Sequence, residues 1–161
     1  MVIPRSEIDF EIEKEVWNIY ELDDGTTLKM RTILIKLLRD PTARPPPGMP
    51  ASAGFFGFNG SFQNIVIVHR TKSELMGAPT PPPLNLEGAG KIEVDFTPFS
   101  EEWNVYTLKG EQIPKGMKLR VKLVVSNVFR AEGLYDQFGY PIYHVTSTNA
   151  VVPVLPEQRR H

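Results

Sequence analysis

Hydrophobic and polar residues alternate along much of the chain, as they do in β-strands that have one face in water. Ile8, Phe10 and Ile12 alternate with acidic residues, and this acidic row favours a strand at a sheet edge, where charge discourages pairing with other molecules. Residues 16–22 are apolar on both faces, which predicts a central strand that is covered on both sides. Residues 23–26, Asp-Asp-Gly-Thr, have turn chemistry, so the next strand is predicted to pair back as a hairpin.

The chain contains an internal repeat. Residues 8–22 align with residues 94–108 at an offset of 86, and seven of these fifteen positions are identical, where about one is expected by chance. Later matches are Leu28-Lys29-Met30-Arg31 with Leu119-Arg120-Val121-Lys122, at an offset of 91, and Asn64-Ile65-Val66-Ile67 with Asn149-Ala150-Val151-Val152. We interpret the chain as a tandem duplication, with one β unit at residues 6–69 and a second at residues 92–155.

The repeat resolves the secondary structure of residues 28–39, which also fit one face of a helix. Their counterpart, residues 119–129, is rich in β-branched residues and opens with strict alternation, which favours a strand for both copies. Further valine-rich and isoleucine-rich segments lie near residues 62–69 and 146–154. The sequence therefore predicts an all-β protein of about eight strands with little helix, about four strands in each unit. They are expected to form a barrel with a pseudo-two-fold axis, or two packed small β-barrels or sheets.

Two proline-rich segments interrupt the repeat. Residues 70–91 connect the units and contain four prolines and the sequence Gly88-Ala89-Gly90, which predicts a linker. Residues 40–54 lie inside the first unit, and a proline-rich loop of this length favours an interaction arm or a flap. The last residues, 156–161, are predicted to form a flexible tail.

Composition narrows the classes of function. A chain of 161 residues with 41% hydrophobic and 23% charged residues is typical of a globular protein, and its net charge of −1 gives no overall attraction to nucleic acids or anionic membranes. Because no apolar run is long enough to span a bilayer and the N-terminal segment is acidic, we expect a soluble cytoplasmic protein without a membrane partner. The absence of cysteine excludes disulfides, thiol nucleophiles and cysteine-ligated metal sites.

Residues that recur in both units are assigned a structural role. Large aromatic side chains bury much area, and asparagine commonly forms hydrogen bonds with backbone groups at strand ends. The structural set is Asp9, Phe10, Trp17, Asn18, Tyr20, Asp95, Phe96, Trp103, Asn104 and Tyr106.

Catalytic motifs are absent from the sequence. A hydrolase that uses paired Asp9 and Asp95 is a remote alternative, since one carboxylate from each half of a duplicated β protein can share a proton, as in aspartic proteases. The Asp-Thr-Gly or Asp-Ser-Gly turn of those enzymes does not occur, and both aspartates lie in alternating segments. The histidines lack metal-ligand spacing, and neither Gly-x-Ser-x-Gly nor a phosphate-binding glycine loop is present. We therefore predict no catalytic residues, no cofactor and no metal.

Aromatic residues are concentrated just before the last strand of each unit. Rigid aromatic side chains on glycine-containing loops are typical of recognition surfaces, although they also form lids over the end of a barrel. The predicted partner-binding residues are Phe55, Phe56, Phe58, Tyr135, Phe138 and Tyr140. With the proline-rich loop 40–54, they lead to the main hypothesis, which is a non-catalytic binding or assembly module that contacts a protein partner or another copy of itself.

The alternative hypothesis is binding of single-stranded nucleic acid. Basic residues on a strand face, near aromatic residues that stack on bases, hold single strands in small oligonucleotide-binding barrels. The residues for this role are Lys29, Arg31, Arg120 and Lys122. The slightly acidic chain argues against it, because phosphate contacts supply most of the affinity for nucleic acids.

Overall fold

The chain folds almost entirely as β-strands in a computed structural model, which describes residues 6–40, 42, 43, 47, 57–111 and 113–156. The strands are β1 (Ser6–Lys14), β2 (Asn18–Leu22), β3 (Thr27–Arg39), β4 (Phe58–Arg70), β5 (Lys91–Glu93), β6 (Phe96–Ser100), β7 (Asn104–Lys109), β8 (Lys118–Tyr135) and β9 (Pro141–Val154). A 3-10 turn at Ser73–Leu75 lies between β4 and β5. The predicted all-β class is confirmed.

All nine strands join one antiparallel sheet. The hydrogen-bonded order is β5-β8-β7-β1-β3-β2-β6, with β4 on the other side of β3 and β9 on the other side of β8. The strands that end this order, β5 and β6, do not pair with each other, so the sheet is open in the described part of the chain. The prediction of a barrel, or of two packed small barrels or sheets, is wrong, because the strands form a single open sheet.

The predicted units exchange strands. β1 pairs with β3 only at residues 6–8 and then runs beside β7 of the second unit. β6 of the second unit pairs in turn with β2 of the first. Phe10 lies opposite Leu108 and Phe96 lies opposite Leu22, so the two exchanged pairings have the same register. Each unit thus supplies a strand to the other, and together they build one sheet.

The core takes side chains from both units. One group of buried side chains is Ile8, Leu34, Leu37, Tyr106, Leu108, Ile113, Met117, Leu119 and Val121. A second group is Leu22, Leu28, Val94 and Val128. Each group contains residues from 6–69 and from 92–155, so the two units share their core.

The repeated aromatic residues lie at equivalent places in this core. Tyr20 and Tyr106 are fully buried. The Phe10 ring meets the Tyr106 ring edge-on at 5.6 Å between centroids, and the Phe96 ring meets the Tyr20 ring in the same way at 6.1 Å. Such edge-to-face pairs stabilise packing beyond the area that they bury.

Two buried asparagines link the units through backbone hydrogen bonds. Asn104 Oδ1 accepts a hydrogen bond from the Val16 amide at 3.0 Å, and Asn18 Oδ1 accepts one from the Glu102 amide at 3.1 Å. Each asparagine therefore satisfies a backbone donor in the irregular segment that precedes the equivalent strand of the other unit.

The acidic row of β1 does not line an open edge, contrary to the sequence-based expectation. β1 lies between β3 and β7, where Glu11 forms an ion pair with Lys109 of β7 and Glu13 pairs with Lys118 of β8. These acidic side chains of β1 form ion pairs within the molecule, because the exchange places lysines of the second unit beside the strand.

Candidate protein-binding site

The two repeated aspartates do not form an acid pair. The side chains of Asp9 and Asp95 are exposed, and Asp9 lies opposite Lys109 in the sheet. Two carboxylates share a proton only when they are in contact and sheltered from water. Within the described residues, no group of three histidine, aspartate or glutamate side chains is arranged to hold a metal ion.

The four basic residues of the nucleic-acid hypothesis lie over the two tryptophans. Lys29 Nζ and the Arg31 guanidinium are 5.5 Å and 5.7 Å from the centre of the Trp17 ring. Arg120 and Lys122 lie in the same way over Trp103, at 4.4 Å and 5.7 Å.

Two of these cations also pair with carboxylates of the chain. Arg31 is 3.2 Å from Glu15, and Lys122 is 3.2 Å from Glu101. The positive charges of Arg31 and Lys122 are therefore already in contact with an aromatic ring and a carboxylate of the same chain. The surface near each tryptophan is less available to phosphate groups than the sequence alone indicates.

In the described part of the chain β4, β5, β6 and β9 each have an edge without a strand partner, and the edges of β5 and β6 are protected. β5 is three residues long and two of its residues are charged, while β6 has five residues with Pro98 at its centre. β9 is long and is bounded by Pro141 at its start and Pro153 near its end, but residues 142–152 between them contain no proline and no aspartate, glutamate, lysine or arginine. Short length, charge and proline are the means by which proteins prevent strands from pairing at a sheet edge.

The free edge of β4 lacks these protections. β4 pairs only with β3 among the described strands, and residues 58–68 contain no charged residue and no proline. These residues run without an inserted residue, because one register shift lies in β3 between Leu34 and Lys36 and the other inserts His69 of β4 just after Val68. Val66 and Ile67 are partly exposed. A long, uncharged edge that is apolar at residues 65–68 presents unpaired backbone groups to another strand.

The hairpin that joins β8 to β9 carries the predicted aromatic residues. The Asp136 carboxylate accepts hydrogen bonds from the amides of Phe138 and Tyr140, at 2.8 Å and 2.9 Å. Gly139 has a φ of +85°, a conformation that side chains rarely adopt, and completes this tight turn. The turn holds Phe138 at its tip with 68% of the side chain exposed.

The segment that was predicted as a linker supports the hairpin. The Gly77 amide donates to the Gly139 carbonyl at 3.0 Å, and the Tyr135 amide donates to Thr80 Oγ1 at 2.9 Å. The Tyr135 ring lies so close to Gly77 that a Cβ there would be 2.4 Å from it. These contacts fix the loop, so Phe138 is presented on a rigid support.

A groove separates the free edge of β4 from the hairpin, and we call it the edge groove. Residues 66–68 of β4 form one side, and Phe138, Tyr140 and Tyr143 lie on the other. Its volume is about 530 Å³. A mostly apolar groove beside an unpaired strand has the shape needed to accept an extended peptide and one of its side chains.

A polar network anchors the hairpin side of the edge groove. The Tyr143 hydroxyl donates to Asp24 Oδ2 at 2.6 Å, and Arg130 donates to the same oxygen at 2.7 Å. The Thr26 hydroxyl is 2.8 Å from the Tyr143 hydroxyl and 2.6 Å from that of Thr71. This network connects the turn after β2 to β8 and β9, and it holds the Tyr143 ring in place.

The network shifts two pKa values in opposite directions. Burial raises the pKa of Asp24, but hydrogen bonds from Tyr143, Thr26 and Arg130 outweigh burial, so this pKa lies below its ordinary value. Burial and the hydrogen bond to Asp24 raise the pKa of Tyr143 to about 12. A carboxylate that stays ionised and a phenol that stays protonated are suited to holding structure and poorly suited to exchanging protons near neutral pH.

These shifts predict how stability depends on pH. Because the folded-state pKa of Asp24 is lowered, its contribution is present above the ordinary carboxyl pKa and is lost as the pH falls through the folded value. Because the pKa of Tyr143 is raised, its contribution is lost as the pH rises from the ordinary tyrosine value towards about 12. Urea unfolding of Asp24→Asn should show lower stability at neutral pH and a smaller further loss in acid than the unmodified chain. A loss in acid equal to that of the unmodified chain would contradict the assignment to Asp24.

The predicted partner-binding aromatics have different environments. Phe55 and Phe56 lie outside the described residues. Phe58 is half-buried, packs against the core and lies under the Arg39 guanidinium at 5.7 Å. Tyr135 and Tyr140 are half-buried in the hairpin, which leaves Phe138 as the exposed one. The partner-binding role of the set stays a prediction, and within the described residues it is best supported by Phe138 and Tyr140.

Sequence reasoning missed residues 66–68 as part of a site. The signal was present, since residues 58–68 form an uncharged segment that ends in four consecutive β-branched residues. The Asp24–Arg130–Tyr143 network had no sequence signal, because its members are separated by 106 and 119 positions.

Comparisons with protein-family models, curated proteins and solved structures find no match for this chain. In the residues that the structure describes, no helix has the length and apolar character needed to cross a membrane.

Proposed function

We propose that the protein is a non-catalytic assembly module that binds an extended protein segment as an additional strand on β4. The observation that carries this proposal is the unprotected free edge at residues 58–68, next to a groove lined by Phe138 and Tyr140. Strand addition at a sheet edge gives affinity through main-chain hydrogen bonds and specificity through pockets for alternate side chains. The edge groove supplies one such pocket.

The chemistry of the edge groove favours an uncharged or apolar segment. Val66, Ile67 and Phe138 offer apolar surface, and the Asp24 carboxylate beneath Tyr143 is already satisfied by hydrogen bonds. Asp136 also lines this groove, so an acidic side chain there would lose water beside a like charge, which disfavours binding.

The other functions considered from the sequence have less support. A hydrolase with paired aspartates would need Asp9 and Asp95 in a sheltered cleft, and both side chains are exposed. Single-stranded nucleic acid binding would compete with the contacts that Arg31 and Lys122 make with Glu15 and Glu101. A cytoplasmic location stays an expectation from the sequence.

We also propose that the chain arose by fusion of two copies of one strand-exchanging unit. The equal registers of the β1–β7 and β2–β6 pairings support this origin. An irregularity between Leu34 and Lys36 of β3 recurs between Val125 and Asn127 of β8, at the offset of 91 found in the sequence repeat. An ancestral unit of this kind would have bound a second copy by exchanging its first strand.

A synthetic strand tests the proposed function. The probe is a fluorescently labelled peptide of about ten alternating threonine and valine residues, and the control peptide carries prolines that prevent strand pairing. With the chain at about 1 µM or below, we expect the probe to raise the fluorescence anisotropy and the proline control to leave it unchanged.

Matched variants locate the binding edge. Ile67 and Val152 occupy equivalent positions on β4 and β9, and each is 40% exposed. We expect Ile67→Lys to weaken peptide binding at least about tenfold, because a lysine on an edge opposes strand pairing, and Val152→Lys to leave it unchanged. Phe138→Ser should weaken binding without lowering the melting temperature. Absence of binding, or equal losses for both lysine variants, would contradict the proposal.

A further inference from the structure

Resting on the proposed function, we infer that the segment bound at β4 belongs to a second copy of this chain. The two copies pair β4 with β4 in antiparallel orientation, which continues the sheet from one molecule into the other. The contact is isologous, so the same surface is used on both sides.

Because residues 58–68 of β4 carry no charge, two copies of this strand can pair without bringing like charges together. In a symmetric antiparallel pair, every side chain faces a residue of the same strand, so a charged strand brings like charges close together. Residues 58–68 carry none, and the first charged residue, Arg70, lies at the end of the strand. In this pairing the two Arg70 side chains lie at opposite ends of the contact.

The two faces of β4 restrict the register of this contact. Gln63, Ile65 and Ile67 lie on the same face as the cations of β3, since Ile67 is opposite Lys29 and Ile65 is opposite Arg31. Directly opposed residues in an antiparallel pair share a face, and a slip of one residue would mix the faces. The two-fold axis therefore lies between two copies of the same residue, and not between residues that are neighbours in the sequence. An axis at Ile65 places Ile65 of one copy opposite Ile65 of the other.

The symmetry of the β4–β4 contact makes the assembly a closed dimer. A two-fold contact uses the same edge in both copies, so pairing through β4 alone ends at two molecules. The described chain has two long edges, β4 and β9, and we assign the contact to β4 because its exposed Val66 and Ile67 lie at the edge groove, whereas β9 is bounded by Pro141 and Pro153. We therefore expect a dimer and no larger species.

Sedimentation velocity of the full chain tests the inference. Between about 2 and about 200 µM we expect a monomer–dimer equilibrium for the unmodified chain and for Val152→Lys. We expect Ile67→Lys to raise the dissociation constant at least about tenfold. A chain that stays monomeric throughout, or a dimer that is weakened equally by both substitutions, overturns the inference.

A cysteine scan along β4 tests the register. The chain has no cysteine, so each introduced thiol is unique in its molecule. The variants are Gln63→Cys, Ile65→Cys and Ile67→Cys, with Val152→Cys as the control. Opposed residues have Cα atoms about 4.5–5.5 Å apart, which a disulfide spans, so mild oxidation should link the variant at the axis most completely. Linking through Val152→Cys and through none of the β4 positions overturns the inference.

The two proposals fail in different ways. If the chain is a monomer that binds the threonine–valine peptide, and Ile67→Lys weakens that binding, strand addition at β4 is supported. The inference that the bound segment belongs to a second copy is then overturned. A chain that neither forms dimers nor binds the peptide overturns both.

Discussion

Replacement of Glu15 by alanine is expected to lower the free energy of unfolding by about 2–4 kcal/mol. The Glu15 side chain is 5% exposed, and its carboxylate accepts hydrogen bonds from the Tyr106 hydroxyl at 2.7 Å and from Arg31 at 3.2 Å. Without the carboxylate, the guanidinium and the buried phenol both lose their acceptor. Arg31 Nε is already buried without a hydrogen-bond partner among the described residues, so the variant removes a further acceptor from the same guanidinium.

Glu101→Ala is the matched control for this prediction. Glu101 occupies the equivalent position, where it accepts a hydrogen bond from the Tyr20 hydroxyl at 2.8 Å and pairs with Lys122. Its side chain is 24% exposed, so water replaces part of what is lost, and we expect a cost of about 1–2 kcal/mol. Urea denaturation measures both values. Equal losses would show that burial of the Glu15 carboxylate does not determine the strength of this link between units.

Asn104→Ala is expected to produce the second large loss, also about 2–4 kcal/mol. Asn104 is 4% exposed and bridges two backbone groups of the first unit. Its Oδ1 accepts from the Val16 amide at 3.0 Å, and its Nδ2 donates to the Thr32 carbonyl at 2.9 Å. Alanine removes the partners of one backbone donor and one backbone acceptor at once.

The equivalent substitution Asn18→Ala is expected to cost less, about 1 kcal/mol. Asn18 accepts a hydrogen bond from the amide of Glu102, which lies at the surface where water takes over this role. Thermal and urea unfolding of the two variants give the comparison. A cost for Asn18→Ala as large as that for Asn104→Ala would show that the bond to the Thr32 carbonyl contributes nothing measurable.

The strands could be predicted from the sequence because burial follows the alternation of apolar residues. In β3, Leu28, Met30, Thr32 and Leu34 are buried and Lys29, Arg31 and Ile33 between them are more exposed, as the comparison with residues 119–129 indicated. The alternation reports only which face of a strand is buried. It contains no information about which strand lies alongside.

The exchange of strands between units could not be predicted for the same reason. Leu22 and Leu108 are equivalent positions, and Phe10 would have a similar neighbour beside either of them. The choice between pairing within a unit and pairing across units depends on the path of the chain after residue 14, which local residue preferences do not determine. Because the exchange puts β1 inside the sheet, it also reversed the prediction that its acidic row lies at an edge.

The candidate site contains some residues that the sequence singles out and others that it does not. Phe138 could be identified because the sequence shows an aromatic residue next to a glycine in the loop before the last strand. The neighbouring edge depends on which strand ends up unpaired, and that is a property of the assembled sheet. Phe58 shows the opposite case, since the same residue type on the other unit packs against the core.

Hydrogen–deuterium exchange at two protein concentrations tests the pairing of β4 with a second copy most directly. Alternate amides of an edge strand point away from the sheet and exchange rapidly unless another strand accepts their hydrogen bonds. We expect amides within residues 59–68 of β4 to exchange more slowly at about 200 µM than at about 2 µM, while amides of β9 show no change. Protection that is independent of concentration on β4, or that rises on β9 instead, would contradict the account.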